Sequence, residues 1–256
     1  MSVGGRVCDR IDRYASPGAG GVPGETGTHA VGPNLFRNPG YDPIKDFAPI
    51  SLVAITPIVL VVNKTLPEVT SVQSLIAVAK EKPRAILYAS GGFGAPPHTA
   101  AAVFESMTGV RMQHVPYKGG GPAIVGLSSG ETHIMFGPAA TMLAQAKAGR
   151  VRALAIARAT RLPAFPDVPT FAEAGLPAYS ANSWFGVHAP ARTSKPIVDL
   201  WSRELMKIVR LPELQAKFQD ADLEPVGSTP SEFAAFVRNE LARYARVVKE
   251  TGMEAP

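Results

Sequence analysis

The chain has 256 residues and a formal net charge of +5, with 46% hydrophobic and 18% charged positions, which is a globular composition and not a disordered one. Its lysines and arginines are scattered, which argues against a nucleic-acid-binding protein. Cys8 is the only cysteine, so an internal disulfide is excluded, and no cysteine and histidine spacing is typical of a zinc site.

The longest apolar run, at 48–62, is too short for a membrane helix and is interrupted by Pro57. We interpret it as two buried strands. The first ten residues contain no apolar core of signal-peptide length, so we expect no export signal in the chain as written.

Residues 1–40 are rich in Gly, Pro and Asn and show no periodicity, which predicts irregular structure. Beyond them, β-branched runs predict strands at 49–55 and 57–63. A helix is predicted at 72–80, with Ser71 as its cap.

Three successive segments then repeat one pattern, in which a strand is followed by a turn and a helix. The pattern predicts a parallel sheet with helices on its faces, and therefore an α/β fold. The predicted strands are 85–90, 111–117 and 133–137, the helices are 98–109, 123–130 and 138–147, and a further strand follows at 151–157.

After residue 159 the chain is loop-like, and an aromatic run with Trp184 and Phe185 is best interpreted as core or hinge packing. The alternative for Trp184 is an aromatic wall of a ligand cleft. Helices are predicted at 196–209, 212–220 and 230–250. The apolar stripe of the last helix is typical of a core-facing surface.

The three turns after the repeated strands, at 90–97, 118–122 and 136–138, are candidate binding elements. Ligands of open sheets bind beyond the carboxyl ends of the strands, where helix N-termini present unpaired amides. Glycines there allow an anion to approach the backbone, Ser90 adds a hydroxyl, and His98 could line the same cleft. The alternative is that these glycines only make tight connections.

Tyr117 and Lys118 end a strand where a glycine run begins, so they could supply a phenol donor and a positive charge. A solvated lysine beside a buried tyrosine is the alternative. We predict no catalytic residue, cofactor or metal, because the histidines stand far apart and no nucleophile elbow, dinucleotide or triphosphate motif occurs.

Several motifs, in this order, resemble the Bug family of solute-binding proteins, the TctC-like receptors of tripartite tricarboxylate transporters. They are GTHAVGPNLF, YDPIKDFAPIS, PIVLVVN, YASGGFGAPPHTAA, VPYKGGGPA, GRVRALAIA, LPAFPDVPTFAEAG and SWFGVHAP.

The resemblance implies a type II periplasmic-binding fold, with two α/β domains that close on a small organic acid at the hinge. It places residues 27–60 and 160–256 in the first domain and 61–159 in the second, with crossings near 59–63 and 156–160. It also implies a periplasmic, monomeric receptor that is not an enzyme and delivers its ligand to membrane permease subunits. The ligand contacts that it implies are Gly27, Thr28, His29, Ser90, Gly91, Gly92, Gly94, His98, Tyr117, Lys118 and Gly119.

The chain departs from the family pattern before Gly27, where a signal peptide, a first strand with its ligand loop and a second strand are expected. We therefore expect residues 1–26 to be irregular, the chain to be truncated, and the first sheet to lack central strands and expose its edges. Gly137 and Pro138 also stand where many members carry polar side chains. Two alternatives to a working receptor are a truncated, non-functional remnant and an enzyme on the same fold.

Overall fold

The structure is a computed structural model that describes residues 21–253. Contacts divide the chain into two units, of which unit 2 spans Thr56–Asn182 and unit 1 contains the residues before and after it. Each unit has one sheet with helices packed on it, which confirms the predicted α/β class. Among the described residues, no helix combines the length and apolar character that crossing a membrane requires.

Unit 1 has a four-stranded sheet in which β1 and β9 lie at the edges. β1 runs antiparallel to β8, with Val22 opposite His188 and Glu25 opposite Phe185. The order across the sheet is β1 (Val22–Glu25), β8 (Ser183–Pro190), β2 (Phe47–Thr56) and β9 (Glu224–Pro225). The expectation that central strands are missing stays a prediction.

The prediction of irregular structure over residues 1–40 is wrong for much of the part that the structure describes. β1 is followed by a π-helical turn, Gly27–Val31, and by helix α1, Gly32–Leu35. β1 carries a proline and a glycine in four residues, and its pairing with β8 is a tertiary contact that local sequence does not reveal. Residues 1–20 lie outside the described residues.

The C-terminal helices of unit 1 begin and end close to the predicted positions. They are α6 (Lys195–Val209), α7 (Pro212–Asp220) and α8 (Pro230–Thr251). In α8 the predicted apolar stripe buries Phe233, Val237 and Tyr244, and Trp184 of β8 packs edge-on against Phe233. The prediction that this stripe is core packing is therefore confirmed.

Unit 2 has a five-stranded sheet in the order β5 (Gln113–Pro116), β4 (Leu87–Ser90), β6 (Ile134–Pro138), β3 (Ile58–Asn63) and β7 (Val151–Ile156). β4 is parallel to β5 and β6, whereas β3 runs antiparallel to β6 and β7. The sheet is therefore mixed, not wholly parallel. All six residues of β3 are buried, and such a run predicts a central strand without giving its direction.

Four helices pack on this sheet, namely α2 (Val72–Glu81), α3 (Pro96–Thr108), α4 (Gly120–Ser129) and α5 (Ala139–Lys147). Ser71 caps α2 by accepting a hydrogen bond from the Ser74 amide, as predicted, and Gly109 ends α3 in the left-handed conformation at φ 70°. These caps fix where α2 begins and where α3 ends.

The predicted second crossing near residues 156–160 is wrong, because the chain stays in unit 2 until Asn182. The Phe171 amide donates to the carbonyl oxygen of Ile156 at 3.0 Å. The side-chain Nδ2 of Asn182 donates to the carbonyl oxygen of Ala157 at 2.8 Å, and its Oδ1 accepts from the Ile58 amide at 3.1 Å. These bonds attach residues 160–182 to the sheet of unit 2, whereas the predicted first domain included them.

Candidate functional site

The turns that follow β4 and β5 lie side by side at one end of the unit 2 sheet. The Tyr117 amide donates to the Ser90 carbonyl oxygen at 2.9 Å, and the Gly119 amide donates to the Gly91 carbonyl oxygen at 3.1 Å. Because β4 and β5 are parallel, both turns leave the same edge of the sheet. Two of the three predicted turns therefore form one continuous surface.

Glycine is required at two points where these turns meet. A β-carbon at Gly91 would lie 3.1 Å from both the Gly119 carbonyl carbon and the Gly120 nitrogen, which are backbone atoms that cannot rotate away. Gly119 adopts φ 113°, a conformation that residues with a β-carbon rarely take. The glycines thus allow two backbone segments to pack directly on each other.

The start of α4 presents free donors beside this contact. Gly120 and Gly121 are exposed, and within residues 21–253 their amides have no hydrogen-bond acceptor. Lys118 is also exposed and forms no ion pair with any described residue. Unpaired amides at a helix N-terminus with a nearby ammonium form a site suited to a carboxylate.

Ser90 serves the turn itself, contrary to the expectation that its hydroxyl faces a ligand. The residue is fully buried, and its Oγ accepts from the Gly92 amide at 3.1 Å and lies 3.0 Å from the Gly92 carbonyl oxygen. The same oxygen lies 2.6 Å from Nε2 of His114. The hydroxyl is therefore engaged within the protein.

His98 also supports the turn from behind. Only 5% of the residue is exposed, and its Nδ1 accepts a hydrogen bond from the Gly94 amide at 3.0 Å. Its ring stacks on His114, a residue that the sequence analysis did not select. His114 was missed because it faces its partners only once β5 pairs with β4, which sets Tyr88 opposite His114.

The phenol of Tyr117 packs against a helix of unit 2, and the expectation that its hydroxyl contacts a ligand stays a prediction. Its ring packs on α4 directly against Gly126, where a β-carbon would overlap the hydroxyl. Burial raises the pKa of this phenol, and the nearby Glu131 carboxylate raises it further. Lys118 is thus the side chain of this pair that faces solvent.

The third predicted turn, at Gly137 and Pro138, differs from the other two. Pro138 still belongs to β6, where it is opposite Ile58, and the Ala139 amide donates to the carbonyl oxygen of Pro57 at 3.0 Å. This amide is therefore unavailable to a ligand, because β3 occupies the position beside β6.

The predicted contacts Gly27, Thr28 and His29 lie in unit 1. His29 is fully buried and stacks on His188, with ring centroids 4.2 Å apart, and burial lowers its pKa to about 4. Thr28 Oγ1 lies 2.8 Å from Nδ1 of His29. His29 is thus a core residue of unit 1, while the role of Gly27 and Thr28 in binding stays a prediction.

Within the described range, no three His, Cys, Asp or Glu side chains are grouped so that they could hold a metal ion. What the site offers is backbone donors and a single lysine.

Residues 4–253 match the family described as the tripartite tricarboxylate transporter family receptor, TctC. The chain belongs to this family. TctC proteins are receptors and not enzymes, and the membership confirms the predicted Bug-type resemblance.

Curated relatives support the assignment. The chain is 35% identical to the protein BugT of Bordetella pertussis over 223 residues, which are 87% of this chain and 68% of BugT. It is 32% identical over 216 residues to a UPF0065 protein in the tcbD-tcbE intergenic region of Pseudomonas sp. (strain P51), which are 84% of this chain and 64% of that protein. The matched part thus spans about two thirds of these relatives' length.

Solved structures of TctC-like proteins share the fold. The chain superposes on R. palustris Rpa4515 with adipate at a TM-score of 0.83 and 34% identity, covering 98% of this chain and 84% of that one. MatC from Rhodopseudomonas palustris with bound malate gives a TM-score of 0.80 at 28% identity, covering 96% and 85%. The periplasmic binding protein BugD gives 0.80 at 27% identity, covering 99% and 85%. The predicted two-domain periplasmic-binding fold is confirmed.

Proposed function

We propose that this chain is a periplasmic receptor that captures a small organic acid and delivers it to the permease subunits of a tripartite tricarboxylate transporter. In this proposal one carboxylate of the ligand is bound by the surface that the turns after β4 and β5 form in unit 2. The receptor acts as a monomer and does not transform its ligand.

The observation that carries the proposal is the pair of exposed amides at Gly120 and Gly121, which have no acceptor among residues 21–253, beside the Lys118 ammonium, which forms no ion pair within that range. Two amides can each donate to one carboxylate oxygen, and the positive end of the α4 dipole adds to the attraction. Because backbone donors recognise only the carboxylate, this surface suits a range of acids. We propose that Gly91, Gly92, Gly94 and Gly119 shape the surface.

Two similar proteins support the ligand class. Rpa4515 was solved with adipate and MatC with malate, which are both dicarboxylates although they differ in length and hydroxylation. A shared carboxylate site with variable surroundings accounts for such a range, and we extend this class to the present chain.

The test is a thermal-shift screen of the purified chain against adipate, malate, other di- and tricarboxylates, acidic amino acids and aromatic acids. A ligand at about 100 times its Kd stabilises the folded state by about 2.7 kcal/mol, which raises the melting temperature by roughly 5–10 °C. The corresponding amides and methyl esters serve as controls, since they keep the carbon skeleton but lack the charge.

The proposal predicts that at least one acid raises the melting temperature and that its uncharged analogue does not. A cooperative transition that no acid moves would contradict it, as would equal shifts from acid and amide. Turnover of a bound acid would contradict the assignment as a receptor.

A further inference from the structure

Two histidines of unit 2 stack directly behind the turn that follows β4. His98 lies in the first turn of α3 and His114 lies on β5, with ring centroids 4.0 Å apart and ring planes inclined by 6°. Tyr88 extends the stack from β4, at 4.9 Å from His114. Phe93, which belongs to the turn, meets both imidazoles edge-on at 5.7 and 5.1 Å.

Each imidazole is hydrogen-bonded to a different end of this turn. Nδ1 of His98 accepts from the Gly94 amide at 3.0 Å. Nε2 of His114 lies 2.6 Å from Oγ of Ser90, and this oxygen accepts from the Gly92 amide at 3.1 Å. Two hydrogen bonds link His114 to Ser90 and Ser90 to Gly92, and a third links His98 to Gly94. Together they fix the backbone between Ser90 and Gly94.

The bond between Gly94 and His98 requires an uncharged His98 imidazole. Nδ1 of His98 can accept only while it carries no proton, and a second proton on His98 would remove the bond to Gly94. Burial lowers the pKa of His98 to about 3, with His114 as a second cause, and burial lowers the pKa of His114 to about 4. Tyr88 is the other titratable group in the stack, and Glu105 is the carboxylate whose charge reaches Tyr88.

We propose that His114, with His98, is a positioning residue that holds the Ser90–Gly94 turn in the conformation that binds a carboxylate. His114 does not touch the ligand in this scheme but acts through Ser90. The inference deepens the proposed function and rests on it where ligand affinity is the readout.

The first measurement needs no ligand. Amide hydrogen exchange is compared between the unsubstituted chain and His114→Phe, which keeps an aromatic ring in the stack but cannot bond Ser90. Exchange at Gly92 is expected to rise about tenfold, since a freed hydroxyl no longer holds the acceptor in place. The Gly109 amide, bonded to the Glu105 carbonyl oxygen at 2.9 Å, is the internal control for folding and is expected to stay unchanged.

The second measurement is the affinity for adipate and malate, with Ser90→Ala, His114→Phe, their combination and His114→Gln. If His114 acts through Ser90, each single change weakens binding by about tenfold and the double change weakens it no further. His114→Gln can still bond Ser90 and is expected to stay within about threefold of the unsubstituted chain. In an NMR titration, His98 is expected to take up its proton at a higher pH in His114→Phe, because a facing histidine is removed.

Unchanged exchange at Gly92 in His114→Phe, or equal acceleration at Gly109, would overturn the positioning role whether or not any acid binds. If the double variant lost the sum of the two single losses in binding free energy, His114 would not act through Ser90. Failure of every acid to bind the unsubstituted chain would contradict the proposed function and leave the exchange result as the test of the turn.

Discussion

At Gly91 the backbone of one turn lies against the backbone of the next. Gly91→Ala places a methyl group 3.1 Å from the Gly119–Gly120 peptide, so we expect the two turns to separate and carboxylate affinity to fall by about tenfold or more. Val125→Ala is the control, because this side chain lies on α4 outside the proposed site and is 67% exposed. Calorimetric titration with the best acid of the thermal-shift screen measures both variants, and equal affinity for the two would contradict the account.

For single residues, the sequence predicted the backbone conformation of the turns better than it predicted the direction of the side chains. The glycines at 91 and 119 were selected for conformational reasons that local sequence carries, and both lie where two turns meet. Ser90, Tyr117 and His29 were expected to face a ligand, yet each points to a protein neighbour. The direction of a side chain depends on which strands pair with its own, and that is not local information.

At the scale of elements, α8 gives a clear test of helix capping. Oγ1 of Thr229 accepts from the Glu232 amide at 3.3 Å, and the Glu232 carboxylate accepts from the Thr229 amide at 2.8 Å. Thr229→Ala should lower the free energy of unfolding by about 1 kcal/mol, because one amide of the first turn loses its acceptor. Urea denaturation measures the change.

Asn239→Ala is the control for this prediction, since Asn239 is an exposed residue within the same helix. Alanine favours the helix, so this variant should be neutral or more stable by up to about 0.7 kcal/mol. If both variants lost the same stability, the cap would not be the cause.

Elements with strong local signals were predicted well from the sequence. The helices that begin at Val72, Pro212 and Pro230 combine a cap or an initial proline with apolar periodicity. β1 and the direction of β3 were missed, because both depend on pairing between distant segments. The C-terminal boundary of unit 2 was missed for the same reason. A loop-like segment belongs to this unit because hydrogen bonds to distant residues attach it to the sheet.

For the whole molecule, buried histidines predict a loss of stability in mild acid. Burial lowers the pKa of His29 to about 4 and that of His98 to about 3, and it lowers the pKa of His188 well below 6.5. In the unfolded chain these groups take up protons below about pH 6.5, whereas the folded chain keeps them neutral. The contribution of these histidines to stability is therefore fully present above about pH 6.5 and declines as the pH falls.

His29 and His98 should each reduce the free energy of unfolding by about 1–2 kcal/mol between pH 6.5 and 5, and His188 acts in the same direction. Burial raises the pKa of three glutamates, so they bind protons more readily in the folded state and oppose this decline toward pH 5; they are Glu25, Glu105 and Glu240. Urea denaturation at intervals between pH 7.5 and 5 measures the net change in stability. NMR titration of the folded chain follows the His29 and His98 imidazoles separately, and protonation of both rings near pH 6.5 would contradict the account.

The central claim is that backbone amides in unit 2 bind a carboxylate, and glycine-selective ¹⁵N labelling tests it most directly. The chain has 24 glycines, so each amide can be followed in a two-dimensional NMR spectrum as adipate or malate is added. We predict saturable shifts at Gly120 and Gly121, smaller ones at Gly91 and Gly119, and none at Gly109. Saturable binding that moved none of the Gly91 and Gly119–Gly121 amides would contradict the account.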